Sequence, residues 1–143
     1  RLIVGNAGVL LTRVIRVKPG SADPFVIVDA AMNDLMRPSL YDAWHAIQAV
    51  APMGERRIVN VVGPVCESGD TFATARDMDR VEADDLLFFR TAGAYAATMA
   101  STYNSRPLTP EVLVDGDQWA VVRHRIDVEA LIQADSIPYW LQP

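Results

Sequence analysis

Cysteine and lysine are almost missing from this 143-residue chain: Cys66 and Lys18 each stand alone. A single cysteine excludes an internal disulfide and fits a reducing compartment, so a cytoplasmic protein is expected. The 13 lysines and arginines never form a run, and with a net charge of −5 they leave no electrostatic footprint for nucleic acid. Long hydrophobic stretches are absent too. The longest, Ala92–Ala100 with its flanks, is interrupted by Gly93 and Thr98 and falls short of a bilayer span. Nothing in Arg1–Val4 reads as a leader, and the chain does not open on methionine, which leads us to expect a piece of a longer polypeptide.

Familiar catalytic motifs are lacking as well. There is no G-x-x-x-x-G-K-[ST], no G-x-G-x-x-G and no G-x-S-x-G. His45 and His124 lie far apart with no H-E-x-x-H, and one cysteine cannot build a thiolate zinc site, so no metal is expected. A self-contained enzyme is hard to assemble from these residues.

What is present reads as globular and β-rich. Half of the residues are hydrophobic and 22% are charged, enough for one domain with a real core. Val9–Val17 is rich in β-branched residues and reads as a strand; the Lys18-Pro19-Gly20-Ser21 turn and Pro24–Asp29 complete a hairpin. Over Met32–Pro52 the period changes: Pro38 suits a first helical position, and Leu40, Trp44, Ile47 and Ala51 share one helical face. Ala46–Val50 reads equally well as a strand. Arg57–Val65 and Leu86–Arg90 are strand-like, Thr71–Asp84 reads as loop, and Ala94–Ser101 is helix-permissive. Glu111–Val114 and Gln118–Arg123 flank Asp115-Gly116-Asp117, a hairpin signal, and Asp127 is placed to cap a helix over Val128–Ala134. Short strands separated by turns, with brief helices and no linker, predict a single mainly β domain, barrel or sandwich.

Three stretches carry polar chemistry. In G-P-V-C-E-S-G-D, Gly63–Asp70, a strand stops and a turn follows, which puts Cys66 and Glu67 at a sheet end where functional residues collect. A thiol can pass a proton to carbon, and a carboxylate can hold an ammonium group. A lone cysteine also reads as a small buried hydrophobe. Arg37 and Tyr41, four apart, would share one face of a helical turn within reach of a single carboxylate; a solvated arginine beside a half-buried tyrosine fits the same spacing. Tyr95 lies in A-G-A-Y-A-A, a small-residue turn that would let a phosphate approach backbone N–H groups, or in which an aromatic simply covers a core edge.

Together these stretches resemble the carboxy-terminal part of the diaminopimelate decarboxylases, pyridoxal-phosphate enzymes of the alanine-racemase-like fold. The matching segments, in order, are A-G-V-L-L-T-R-V (Ala7–Val14), V-D-A-A-M-N-D-L-M-R-P-S-L-Y (Val28–Tyr41), G-P-V-C-E-S-G-D, A-G-A-Y (Ala92–Tyr95) and Y-N-S-R-P-L-T-P-E-V-L-V (Tyr103–Val114). The resemblance implies roles residue by residue. Arg1 matches the arginine that closes an E-P-G-R motif and contacts substrate. Arg37 and Tyr41 would bind the far carboxylate of meso-diaminopimelate, and Glu67 its far amino group. Cys66 would protonate the carbon that has lost carbon dioxide. Tyr95 would contact pyridoxal 5'-phosphate near its phosphate. Cys66 and Glu67 would serve the partner subunit's site, which implies a homodimer. The resemblance also implies only a short helical turn near Pro38–Trp44, followed by strand.

Two features depart from that pattern. Ala31 stands where the family often has glycine. Lys18, in its Lys-Pro-Gly turn, matches no cofactor lysine, so the Schiff-base lysine and the phosphate-binding glycine loops are expected in an amino-terminal barrel outside this chain. Two alternatives stay open: a related decarboxylase of arginine, ornithine or carboxynorspermidine, and a non-catalytic dimerisation domain. The missing lysine generates a direct expectation. The purified 143-residue chain, supplied with cofactor and meso-diaminopimelate, releases no carbon dioxide above background; measurable release would refute the assignment of the lysine to another domain.

Overall fold

In β1 (Leu10–Lys18) the β-branched run buries Thr12 and Val14 while Leu11, Arg13 and Ile15 face outward, an alternation that marks a strand with one covered side. Its partner β2 (Phe25–Val28) returns antiparallel, from Lys18 opposite Phe25 to Val14 opposite Val28. Thr12 locks the pair: its hydroxyl donates to Asp29 Oδ1 at 2.6 Å and accepts from the Ala30 N–H at 2.9 Å. These details come from a computed structural model that describes residues 1–142.

The remaining elements of the first unit, Arg1–Ala100, are α1 (Arg37–Tyr41), β3 (Ile47–Ala49), β4 (Arg56–Val62), β5 (Thr71–Asp79), β6 (Leu86–Phe89) and α2 (Ala96–Met99). They build one six-stranded sheet in the order β3-β6-β1-β2-β4-β5. All pairings are antiparallel except β2 with β4. The end strands of that order approach one another: the Ala49 N–H reaches Asp79 Oδ2 at 3.4 Å, and the Arg76 guanidinium donates to the His45 carbonyl at 2.7 Å. The sheet is therefore a nearly closed barrel, which covers the strand edges that an open sheet would expose. Val14, Val26, Val28, Leu35, Val61, Met78, Leu87 and Phe89 fill it, and the Phe72 and Phe89 rings meet with centroids 4.6 Å apart. The mainly β expectation holds.

Two local expectations need correction. The helical reading of Met32–Pro52 survives only as α1. Asp42 then adopts the left-handed region (φ 51°) and ends the helix, and Ile47 and Ala49 turn inward as β3 opposite Phe89 and Leu87. Leu40 and Trp44, assigned to the same helical face as Ile47, are exposed. The short helical turn followed by strand is what the family resemblance implied. Thr71–Asp84, expected as loop, contains the nine-residue strand β5. Its alternation is hidden because the register with β4 slips twice and Ala75 takes φ 46°. Its buried positions, Phe72, Ala73 and Met78, consequently show no regular alternation. Asn60 Oδ1 accepts the Ala75 N–H at the irregularity (3.0 Å).

The second unit begins at Ser101. Here β7 (Glu111–Asp115) and β8 (Gln118–Arg123) form the expected hairpin, with Asp115 opposite Gln118 and Gly116 at φ 62° in the turn. Arg123 pairs with Glu111 at 2.8 Å. Asp127 caps α3 (Val128–Ile132) by accepting the Ala130 N–H at 2.9 Å. Among the described residues no helix is long and apolar enough to cross a membrane.

Phe89 is fully buried against Phe72 and is shared by the β3–β6 and β6–β1 pairings. Phe89→Ala should lower stability by about 3–5 kcal/mol, the range for losing a large buried side chain. Urea unfolding at constant slope reads this; a loss under about 1 kcal/mol would show that the barrel does not pack on this ring.

Candidate active site

Strand pairing decides which connections meet. Leu10 at the start of β1 lies opposite Phe89 at the end of β6, Ile47 at the start of β3 opposite the same Phe89, and Thr71 at the start of β5 opposite Val62 at the end of β4. Val62 in turn neighbours Ile27 near the end of β2. One rim of the barrel thus receives residues 1–9, 29–46, 63–70 and 90–95. Every residue singled out from the sequence, Arg1, Arg37, Tyr41, Cys66, Glu67 and Tyr95, comes from these segments. Lys18 ends β1 at the opposite rim, about 25 Å from Leu10 at strand rise.

The first cluster forms where the amino-terminal segment meets the A-G-A-Y turn. Gly93 donates to the Gly5 carbonyl at 3.1 Å and Ala92 to the Gly8 carbonyl at 2.9 Å. A Cβ on Gly93 would collide with the Val4 carbonyl oxygen, so only glycine permits this approach. Gly5 donates to the Arg1 carbonyl (2.8 Å) and brings Arg1 beside Thr91 and Ala94. Tyr95 takes φ 73°, a strained conformation for a non-glycine residue. Its ring lies 5.0 Å from the Arg37 guanidinium, whose other aromatic neighbour is the Tyr41 ring at 5.2 Å. Two ring faces thus hold the cation while its in-plane N–H groups remain suited to a carboxylate. Arg1, Arg37, Tyr41, Trp44, His45 and Thr91 border a hollow of about 220 Å³. Sequence reasoning brought Arg37 and Tyr41 together; it did not bring Tyr95 to them.

The Gly63–Asp70 loop is a second, separate construction. Cys66 and Glu67 are exposed, so the reading of Cys66 as a buried hydrophobe fails. Asp70, by contrast, is 2% exposed. Its Oδ1 accepts the Met32 N–H and its Oδ2 the Val65 N–H, both at 2.7 Å. Its backbone N–H donates to the Glu67 carbonyl (3.1 Å), and its carbonyl accepts from Gly63 (2.9 Å). A Cβ on Gly63 would strike the Asp70 carboxylate. Sequence reasoning missed Asp70 because an aspartate after Ser-Gly reads as turn chemistry.

A larger hollow of about 450 Å³ lies between α1 and this loop, bordered by Ser39, Trp44, Ser68, Thr74 and Arg76. Arg76 stacks on the Trp44 ring at 4.7 Å, and burial pushes its guanidinium below the ordinary arginine value. Cys66 and Glu67 border neither hollow. The structure therefore gathers Arg1, Arg37, Tyr41 and Tyr95 and sets Cys66 and Glu67 apart from them on the same rim.

Chemically, the cluster can bind a carboxylate and the loop can present an acid and an anion. Among the described residues no three His, Cys, Asp or Glu side chains gather as a metal site would require. For a carbonyl cofactor such as pyridoxal phosphate the fit is one-sided. Arg1 and Arg37 line a hollow that suits a phosphate, with the Tyr95 ring against Arg37, whereas the lysine needed for covalent attachment is absent from this rim.

Comparison with known proteins identifies the family. The family model for the pyridoxal-dependent decarboxylase C-terminal sheet domain matches residues 2–93. The chain is 53% identical over 141 residues to the diaminopimelate decarboxylase of Zymomonas mobilis, covering 99% of this chain and 34% of that protein. The crystal structure of diaminopimelate decarboxylase from M. jannaschii superposes with a TM-score of 0.93 at 36% identity, over 98% of this chain and 32% of the other. The Helicobacter pylori diaminopimelate decarboxylase complexed with L-lysine gives 0.86 at 44% identity, over 92% and 32%. The chain spans about a third of the length of these relatives. A barrel that gathers cationic and aromatic groups on one rim, within sequences this similar, places the chain in the pyridoxal-dependent decarboxylase family, as its C-terminal sheet domain.

Proposed function

We propose that this chain is the carboxy-terminal domain of a longer, homodimeric enzyme that converts meso-2,6-diaminopimelate to L-lysine and carbon dioxide. An amino-terminal barrel outside the chain would hold pyridoxal 5'-phosphate through its lysine, with Tyr95 beside the phosphate. The observation that carries the reading is the placement of Arg37 between two tyrosine rings, on the rim that also presents Glu67. Diaminopimelate bears an amino acid head at each end, so the non-reacting end needs one cation and one anion. Arg37 and Tyr41 suit its carboxylate, Glu67 its ammonium group, and Arg1 adds a second cation at the same hollow.

The cofactor, when bound, draws electrons from the carbon that loses carbon dioxide. The chain's own residues do the rest. Arg37 and Tyr41 fix the far end, so that the substrate presents one carboxylate to the reacting position. The exposed Cys66 thiol delivers a proton to the carbon after carbon dioxide leaves, and its neighbour Glu67 holds the ammonium group on the same loop. Sharing of the site across a dimer would account for the loop's position: Cys66 and Glu67 are exposed and stand clear of the Arg37 hollow.

A decarboxylase of ornithine or arginine would have no use for a cation at the far end, and Arg37 argues against it. The test uses the full-length enzyme with meso-diaminopimelate, ornithine and arginine, following carbon dioxide release. Only diaminopimelate should turn over, and Arg37→Ala with Glu67→Gln should lower its kcat/KM by about 10²-fold or more, as expected when charged recognition groups are removed. Turnover of another amino acid, or undiminished activity in the double variant, would discard the two-ended clamp.

A further inference from the structure

Glu67 and Asp70 stand three residues apart on one loop and have opposite surroundings. Glu67 is exposed; Asp70 is buried, with both carboxylate oxygens already bonded. A buried carboxylate is tolerated only when such bonds replace its hydration. What the bonds connect is informative. Val65 immediately precedes Cys66, whereas Met32 belongs to the segment that leads to α1. That segment has little freedom. Asp34 and Leu35 donate to the Ala31 carbonyl at 2.8 and 3.3 Å, Asp34 Oδ2 accepts the Ala31 N–H at 2.9 Å, and Leu35 is fully buried. Two residues later the chain enters α1 at Arg37. On the loop side, the Glu67 carboxylate and the Ser39 hydroxyl of α1 both border the space above Gly69.

We infer that Asp70 is a positioning residue: its carboxylate ties the loop bearing Cys66 and Glu67 to the segment bearing Arg37, and so fixes where each of these two recognition elements stands relative to the other. The inference rests on the function proposed above. It assigns Asp70 no contact with substrate or cofactor. In a symmetric dimer with a shared site, the same carboxylate links the Arg37 clamp of one site to the Cys66–Glu67 loop of the other.

The chemistry of the carboxylate gives the test. Two oxygens accept two N–H donors; an amide has one acceptor and would turn its NH2 toward the second donor. Asp70→Asn should therefore release one side of the link while keeping size. In the full-length dimer loaded with cofactor, amides of residues 63, 65–68 and 31–36 should exchange at least about tenfold faster, with β4 and β5 still protected. For meso-diaminopimelate, KM should rise and kcat should fall by about 10–100-fold, the scale of misplacement by an ångström. The cofactor's absorption spectrum should stay unchanged.

Unchanged exchange in both segments, or wild-type KM with only a smaller active fraction, would overturn the proposal by making Asp70 a matter of stability alone. If Asp70→Asn does not yield a folded dimer, Gly63→Ala replaces it, because the added methyl displaces the carboxylate without removing it. The same rise in exchange and in KM would support the link, and wild-type values would overturn it. A wild-type enzyme that leaves diaminopimelate untouched overturns the proposed function and this inference together; an active wild type with an unaffected Asp70→Asn overturns the inference alone.

Discussion

The hydrogen-bond register of the barrel is the constraint from which the site follows. Antiparallel pairing of β1 with both β2 and β6 brings the start of one strand beside the ends of two others, and β3 and β5 join with the same sense. Connections that are far apart in sequence therefore converge on a single rim. The opposite rim carries surface pairs such as Arg80 with Glu55 at 2.7 Å and Glu82 at 3.2 Å, which are exposed and structural in character. Each substrate-facing candidate depends on this register, because a slip by one residue would turn the inward Val14 and Phe89 to solvent.

On that rim, rigidity comes from backbone contacts and charge is left exposed. Gly93 lets two chain segments touch, and the Asp70 carboxylate holds two N–H groups. Arg37 is steadied by ring faces, a contact worth about 0.5–1 kcal/mol at a partly exposed site. That arrangement limits the cation's motion without neutralising it. The Glu67 carboxylate stays exposed, while the segments around it are fixed by backbone contacts and by the two N–H bonds to Asp70.

Much of this was legible in the sequence, and the remainder was hidden for identifiable reasons. β1, β2, β4 and β6 and the β7–β8 hairpin announce themselves through β-branched runs and turn residues. β5 does not, because Ala75 and the slipped register break its alternation. The apolar face that suggested a long helix after Met32 joins residues from α1, a loop and β3, and only a pairing partner more than forty residues away, Phe89, decides the matter. At the site, the four-residue spacing of Arg37 and Tyr41 was visible, and the family resemblance pointed to Tyr95. The stacking of Tyr95 on Arg37 was not visible, since it spans fifty-eight residues and depends on a strained φ. Asp70 was read as part of a turn because nothing local shows that Met32 will be waiting for it.

The order of strands in the sheet also bears on how the chain acquires its shape. β6 lies between β1 and β3, so β3 has no sheet partner, and β1 only one, until Phe89 has been made. β2 and β4 are parallel and are joined through a long crossover that contains α1. Such a pattern is dominated by distant pairings, whose loop-closure entropy must be met before any contact rewards it. The β1–β2 pairing joins neighbours in sequence, whereas the rim that carries Arg37 depends on β6 pairing with both β1 and β3. The last strand of the barrel in chain order is thus the one that brings residues 1–9, 46 and 90–95 to one rim.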